Sequence, residues 1–184
     1  MSALFFIKSI NIIIFLVITM NLPKRKPTRL KNYDYSQNGY YFITICTQNH
    51  KNTLSSIIVG EGFPLPKLTC DGEILEKILL SVNEKYRNII VDKFVIMPNH
   101  IHIILCVKDN GRGNPSPTTV SNVVGWIKYT AAKIINQSKN TPGNKIFHRS
   151  FHDHIIRGEA DYLKIWNYID TNPQKWNEDC FYTE

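Results

Sequence analysis

The chain has 184 residues, of which 43% are hydrophobic, 11% aromatic and 20% charged, and its formal net charge is +7. This apolar content excludes a disordered chain, and the nine glycines and nine prolines form no repeat, so collagen-like and low-complexity chains are excluded too. We expect one ordinary globular domain. Four widely spaced cysteines without a Cys-x-x-Cys pair are typical of core thiols in a reducing compartment, so we expect a cytoplasmic protein.

The positive charge is concentrated in two segments. Residues 1–31 and residues 110–152 each contain six basic and no acidic residues. Two basic blocks on an otherwise neutral or acidic body favour a polyanion that is bound at defined places. The alternative is a solvated basic tail together with a loop that happens to lack acidic residues.

The first 19 residues form an apolar extension that Lys8, Ser9 and Asn11 interrupt. The apolar run after Asn11 is shorter than the ~20 residues that span a bilayer, and no small-x-small cleavage site follows it. We therefore expect translation to start at Met20 and expect no stable membrane partner. Residues 20–39 are predicted to be a basic arm, and residues 40–180 a single domain.

The predicted domain alternates strands and helices. Its predicted elements are a strand over 40–48, a helix over 71–85, a hairpin of strands over 88–97 and 100–107, a helix over 118–137, a strand over 147–158 and a helix over 159–172 that ends before Pro173. This order predicts an α+β, ferredoxin-like (RRM-like) split βαβ sandwich with an antiparallel sheet and a C-terminal helical extension.

The strongest local motif is the run from Met97 to Leu105, which contains His100 and His102. Side chains at positions i and i+2 of a strand point to the same face, so the two imidazoles project side by side. Two such imidazoles can chelate a divalent ion. The alternative is an exposed or hydrogen-bonded pair without a metal.

The predicted helix over 119–136 has a clear apolar stripe. At about 100° per residue, Tyr129 lies opposite that stripe and therefore on the outward face of the helix. It stands inside the second basic block, where a phosphate would be attracted. A surface tyrosine without a role is the alternative.

A second pair of histidines, His152 and His154, follows in the predicted last strand. This pair has the same i, i+2 spacing and is a candidate for a metal or phosphate contact. Asp153 between them more simply orients one of the two rings.

Together, these motifs resemble the single-tyrosine HUH transposases of the IS200/IS605 type. The matching residues are Pro98-Asn99-His100-Ile101-His102, with Tyr129 on a helix about 27 residues later. Three further strings are similar to the branch of REP-associated tyrosine transposases, namely Tyr41 to Gln48, Ser150 to His154 and Tyr168 to Pro173. The resemblance covers roughly residues 22–180.

The resemblance implies an enzyme that cleaves and rejoins hairpin-bearing single-stranded DNA through a 5′-phosphotyrosine. His100 and His102 would bind Mg²⁺ or Mn²⁺, and Tyr129 would be the nucleophile. Lys133 stands where relatives carry a third metal ligand, so His152, His154 or water would complete the site, or Lys133 would contact a phosphate. No small-molecule cofactor is implied, and the long C-terminal extension favours a monomer over a dimer.

Basic side chains of both blocks are the expected DNA contacts, namely Lys24, Arg25, Lys26, Arg29, Lys31, Arg112, Lys128, Lys139 and Arg149. Two other functions remain open at this stage. One is a non-catalytic nucleic-acid-binding module on the same RRM-like fold. The other is a metal-dependent hydrolase that uses His100, His102 and His152.

Overall fold

The computed structural model describes residues 33–59, 62–108 and 119–183. Four antiparallel strands form its main sheet, in the spatial order β4-β5-β1-β6. The strands are β1 (Gly39–Cys46), β2 (Ser55–Ile58), β3 (Leu65–Leu68), β4 (Ile89–Ile96), β5 (His100–Val107) and β6 (His152–Ile156). The helices are α1 (Cys70–Leu80), α2 (Val82–Lys85), α3 (Val120–Ser138) and α4 (Glu159–Thr171), with 3-10 turns at Gln48–His50 and Asn172–Glu178. This arrangement confirms the predicted ferredoxin-like α+β fold.

One face of the main sheet packs against α1 and α3. Alternate residues of β5, namely Ile101, Ile103 and Leu105, are fully buried there against the apolar stripe of α3. Burial of about ten large aliphatic side chains in this layer stabilises the fold by roughly 1.5–3 kcal/mol each before the entropy cost of folding. The sheet is therefore fixed in register, because a slip by one residue would turn these side chains to the other face.

The opposite face of the sheet packs against α4, the predicted C-terminal extension. Ile104 of β5 and Ile156 of β6 bury against Ile165 and Ile169 of that helix. The helix begins after Gly158, whose φ of 83° is costly for any residue with a Cβ atom. The 3-10 turn after α4 then carries the chain back across the sheet.

Threonine caps fix where the two helices of the first layer begin. The hydroxyl of Thr69 accepts a hydrogen bond from the backbone N–H of Gly72, and that of Thr119 accepts one from Asn122. Such caps contribute about 1 kcal/mol each. Gly72 is required by packing, because a Cβ atom there would lie 2.1 Å from the carbonyl oxygen of Leu54.

The structure differs from the prediction in three places. The segment between the predicted strand over 40–48 and the predicted helix over 71–85, for which no element was predicted, contains the small ribbon β2-β3. The predicted strand over 147–158 is ordered as a strand only over β6, and Phe147 makes an isolated bridge to Thr47. The last predicted helix does end before Pro173, at Thr171, but the chain continues through Pro173 as a 3-10 turn, because the first turn of such a helix needs no N–H at that position.

The predicted extension over 1–19 and most of the predicted basic arm lie outside the described residues, as does the loop over 109–118. The described end of that arm packs on the core, since Tyr33 and Tyr35 contact the ring of Tyr41. Within the described residues, no helix combines the length and the apolarity that crossing a membrane requires.

Candidate metal and tyrosine site

His100 and His102 lie on the face of β5 that is turned away from α1 and α3. Both side chains are almost completely buried, and their Nε2 atoms are 3.1 Å apart. This arrangement follows from the strand alternation, which sends the intervening Ile101 into the first layer. The predicted side-by-side pair is therefore present, with the two ring nitrogens converging on one point.

Asn99 fixes the tautomer of His100. Its amide nitrogen donates hydrogen bonds to the carbonyl oxygens of Phe181, at 2.7 Å, and His50, at 3.3 Å. The amide oxygen therefore faces Nδ1 of His100, at 2.9 Å, and can only accept a hydrogen bond from it. The proton of His100 is thus on Nδ1, and Nε2 presents a lone pair to the site.

His102 has a more adaptable partner. Its Nδ1 lies 2.9 Å from the hydroxyl oxygen of Thr44, which can either donate or accept a hydrogen bond. With Nδ1 protonated, the Nε2 atom of His102 also presents a lone pair. An imidazole that donates its other nitrogen's proton to a neighbouring oxygen is the usual arrangement for a metal-binding histidine.

Burial keeps both rings neutral. It lowers the pKa of His100 to about 4, although the nearby carboxylate of Asp179 opposes the shift. The pKa of His102 is lowered well below its usual value, first by burial and then by His100. Neutral imidazoles are the form that binds a metal, so the pair is ready to bind at neutral pH.

A third donor comes from the segment after α4. The carboxylate of Asp179 forms, with the two imidazoles, a cluster whose ligand atoms lie within 4.8 Å of one another. The amide nitrogen of Asn172 and the backbone N–H of Phe181 donate hydrogen bonds to this carboxylate, at 2.9 and 2.7 Å. Two neutral imidazoles and one positioned carboxylate fit a divalent cation.

Tyr168, on α4, places a phenol at the same cluster. Its hydroxyl oxygen lies 3.3 Å from Nε2 of His102, and its ring stands edge-on to that of Phe42. The side chain remains partly exposed. Burial, and then the charge of Asp179, raise the pKa of this phenol to about 12.

The structure does not bring Tyr129 to the histidine pair. Tyr129 is 69% exposed and points to solvent from α3, and α3 packs on the opposite face of the sheet. The sheet therefore separates this phenol from His100 and His102. The resemblance implied Tyr129 as the nucleophile; its predicted outward direction is present, but the sheet lies between its phenol and the two imidazoles.

Other predicted candidates for a metal or phosphate contact lie outside the three-residue cluster. His154 instead pairs with Asp161, at 2.9 Å. His152 is exposed and its ring centroid lies 6.5 Å from that of Phe181. Lys133 is exposed on α3, in the other layer. Asp179 therefore occupies the third position that the sequence left open.

The segment after α4 also covers the site. The ring of Phe181 lies 4.8 Å from that of His100, and Trp176 lies 6.0 Å from His100. The side-chain amide of Asn52 donates to the carbonyl oxygen of Thr183 and ties this segment to the loop after β1. A phosphate can reach the two Nε2 atoms only if this cover moves.

Two of the basic residues predicted to contact DNA make internal contacts. The ammonium of Lys128 donates to the carbonyl oxygens of His148 and Arg149, at 2.7 and 2.8 Å, and burial lowers its pKa. Lys139 pairs with Asp71. Arg149 is exposed, whereas the other predicted contacts lie outside the described residues, namely Lys24, Arg25, Lys26, Arg29, Lys31 and Arg112.

No protein-family model matches the sequence. An uncharacterized protein of Haemophilus influenzae is 30% identical over 173 residues, which cover 87% of this chain and 94% of that protein. A second protein of the same organism, named "Putative REP-associated tyrosine transposase", is 24% identical over 159 residues, or 79% of this chain and 77% of that protein.

Among solved structures, a REP-associated tyrosine transposase bound to a REP hairpin shares the fold. Its TM-score is 0.55 at 21% identity, and the match covers 80% of this chain and 73% of that chain. The identity to the first Haemophilus influenzae protein over nearly its whole length places both chains in one family. By its second sequence match and its fold, this chain is similar to the REP-associated tyrosine transposases.

Proposed function

We propose that the chain cleaves and rejoins single-stranded DNA through a covalent bond to Tyr168. The observation that carries this proposal is the phenol oxygen 3.3 Å from Nε2 of His102, beside a second imidazole and a carboxylate. A nucleophile next to a set of metal ligands is the arrangement that phosphoryl transfer requires. The transposase relatives support the same class of enzyme.

In the proposed reaction, the phenol oxygen of Tyr168 attacks phosphorus and the bond between phosphorus and the 3′ oxygen breaks. The products are a 5′-phosphotyrosine and a free 3′-OH, and the reverse attack rejoins the strand without ATP. A Mg²⁺ or Mn²⁺ ion bound by His100, His102 and Asp179 would supply the positive charge that stabilises the phenolate and the phosphate oxygens. Without that charge, a phenol with a pKa near 12 stays protonated at neutral pH.

We propose hairpin-bearing single-stranded DNA as the substrate. The solved relative is bound to a REP hairpin, which supports this choice. Tyr168 remains partly exposed at the edge of the cluster, where a flexible single strand can approach it more easily than a duplex can. We keep the five basic residues of the predicted arm, from Lys24 to Lys31, together with Arg112 and Arg149, as proposed backbone contacts.

We further propose that one chain suffices for cleavage, and that it acts in the cytoplasm. Tyr168 and both histidines come from the same chain, so no exchange of the tyrosine between subunits is needed to assemble the site. This supports the monomer over the dimer.

The proposal is tested by mixing the purified chain with a labelled hairpin-bearing single strand and Mn²⁺, and separating denatured products on a gel. We expect a covalent protein–DNA adduct that Tyr168→Phe abolishes. Tyr129→Phe is the matched control, because it removes the same hydroxyl from the other layer, and it should leave the adduct unchanged. An adduct that survives Tyr168→Phe would contradict the proposal.

The same assay separates the two alternative functions. A non-catalytic binding module would bind the hairpin but form no adduct in the unmodified chain. A metal-dependent hydrolase would cut the strand without an adduct, and cutting would survive Tyr168→Phe but not His100→Ala.

A further inference from the structure

A polar cavity of about 540 Å³ lies at the end of β1, on the side of the sheet that faces α1 and α3. Two loops form most of its wall, namely residues 47–53 after β1 and residues 143–146 after α3. The start of α1 adds Asp71, and the end of α3 adds Lys139. None of these residues belongs to the cluster around His100 and His102.

The cavity is positively charged. Lys51, Lys139 and Lys145 line it, and Asp71 is the one acidic residue of its lining. That carboxylate is buried and pairs with Lys139, at 2.5 Å. Within the described parts of the chain, Lys51 and Lys145 lie in no salt bridge, so two exposed ammonium groups remain available to an anion.

Amide side chains occupy the wall between the lysines. Gln48, Asn49 and Asn144 line the cavity; the amide nitrogen of Gln48 donates one hydrogen bond to the side-chain oxygen of Asn49, at 3.0 Å, and each amide keeps further donor or acceptor capacity. Pairs of amide donors and acceptors match the edges of nucleobases, whereas lysines match phosphates. This combination of lysines and side-chain amides fits a nucleotide better than a bare anion, because an anion has no base edge for the amides to contact.

The loop after β1 is held in one shape. Asn49 and His50 adopt left-handed backbone conformations, with φ of 57° and 51°. The backbone N–H of Gln48 donates to the carbonyl oxygen of Ile146 at 2.8 Å, which joins the two loops. The hydroxyl of Thr47 donates to the carbonyl oxygen of Lys51 at 2.9 Å. A site whose wall is already fixed loses little entropy when it binds a ligand.

The same loop connects the cavity to the metal cluster. The backbone N–H of Thr47, in the cavity wall, donates to the carbonyl oxygen of Asn99 at 2.8 Å. Asn99 in turn orients His100. The cavity and the cluster therefore lie on opposite sides of one end of the sheet, where β1 stops and β5 starts. A single strand of DNA that passes around this end would contact both.

We propose that this cavity binds unpaired nucleotides of the DNA strand that runs to Tyr168. Lys51 and Lys145 bind backbone phosphates, and the amides of Gln48 and Asn144 contact base edges. This inference rests on the proposed function, because it takes single-stranded DNA as the substrate, and it assigns a second contact region to that substrate.

The test measures equilibrium binding and not cleavage. Tyr168→Phe protein in a metal chelator is titrated into a fluorescent single-stranded oligonucleotide of about 8 nucleotides at several salt concentrations. The double variant Lys51→Ala/Lys145→Ala should bind about tenfold more weakly, and the slope of log K against log salt should become shallower by about 1.4, or 0.7 for each phosphate contact. The control Lys77→Ala/Lys85→Ala removes two exposed lysines of α1 and α2 and should bind like the parent.

A second variant tests the role of the amides. Gln48→Ala/Asn144→Ala should change the preference among the four homopolymeric strands and leave the salt slope unchanged, because it removes no charge. A mononucleotide that competes as well as the oligonucleotide would overturn the assignment to a strand and indicate a site for free nucleotides.

The outcomes separate this inference from the proposed function. If the unmodified chain forms the adduct but the lysine variant keeps the slope and affinity of its control, the cavity is not a DNA site. If the lysine variant loses binding as expected but the unmodified chain forms no adduct, the proposed catalysis is wrong and the cavity assignment stands.

Discussion

The phenol oxygen of Tyr168 lies 3.3 Å from Nε2 of His102, and that same nitrogen lies 3.1 Å from Nε2 of His100. One nitrogen atom is thus the shared neighbour of the proposed nucleophile and of the second imidazole. Because Nε2 of His100 carries a lone pair, Nε2 of His102 donates a hydrogen bond to it in the metal-free chain, and Nδ1 of His102 then accepts one from Thr44. A cation at the cluster would require the other tautomer of His102, with the proton on Nδ1, and would place a positive charge near the phenol of Tyr168 in place of an N–H group.

Asp179→Asn should weaken Mn²⁺ binding by at least ~10-fold, because it removes the charged donor and keeps the shape of the side chain. Titration calorimetry of the metal-free chain with Mn²⁺ measures this affinity. Glu178→Gln makes the same change of charge at the exposed neighbour and should have little effect. Equal affinities of the two variants would contradict the assignment of Asp179 as a ligand.

Substitutions of Asn99 should separate its two roles. Asn99→Ala removes the acceptor for Nδ1–H of His100 and should lower metal affinity by about 10-fold. Asn99→Asp keeps that acceptor but loses the donor to the carbonyl oxygen of Phe181, so metal affinity should be largely kept while the covering segment loosens. Faster hydrogen exchange of the backbone N–H of Phe181 in Asn99→Asp measures the loosening. Unchanged exchange would show that other contacts hold the cover.

The stability of the metal-free chain should fall as the pH falls from 6.5 to about 4. His100 has a pKa of about 4 when folded and of 6.5 when exposed, so in this window the unfolded chain binds a proton that the folded chain does not. The loss from this one group amounts to about 3 kcal/mol. Urea unfolding in a chelator at several pH values measures it. His100→Gln should flatten the dependence, whereas His148→Gln, at an exposed position, should leave it unchanged.

Lys128→Met should lower the free energy of unfolding by about 1–3 kcal/mol, because two carbonyl oxygens lose their charged donor. Lys133→Met, on the exposed side of the same helix, should change stability by less than ~0.5 kcal/mol. Denaturant unfolding of both variants measures the difference. If Lys128→Met instead keeps full stability and reduces the salt dependence of DNA binding, our original interpretation of Lys128 as a DNA contact is right.

The sequence predicted the main sheet well, because alternation in β1 and β5 and the turn at Pro98-Asn99 are local signals. The hairpin β4-β5 and the outward direction of Tyr129 followed from periodicity alone. The ribbon β2-β3 was missed, since its short strands stand among glycines and prolines and are held by hydrogen bonds to distant residues, such as that from the hydroxyl of Ser55 to the carbonyl oxygen of Ile96.

The candidate site was predicted only in part, because the rest of it depends on tertiary packing. The direction of a helical side chain can be computed from sequence, but which face of the sheet a helix covers depends on packing, and packing places Tyr168 and not Tyr129 beside the imidazoles. Tyr168 belongs to a string that carried the family resemblance, so a signal for it was present. No local pattern marks Asp179, because its role arises from a chain reversal after α4.

The carboxylate of Asp179 comes from a different part of the chain than the two imidazoles of the metal cluster. The two imidazoles lie on β5, in the first strands of the sheet to be synthesised, whereas the carboxylate of Asp179 comes from a segment that follows α4. The donor set is complete only after α4 has docked and the 3-10 turn has folded back. A chain shortened to end at Asn172 would accordingly keep both imidazoles of the donor set and lose its carboxylate.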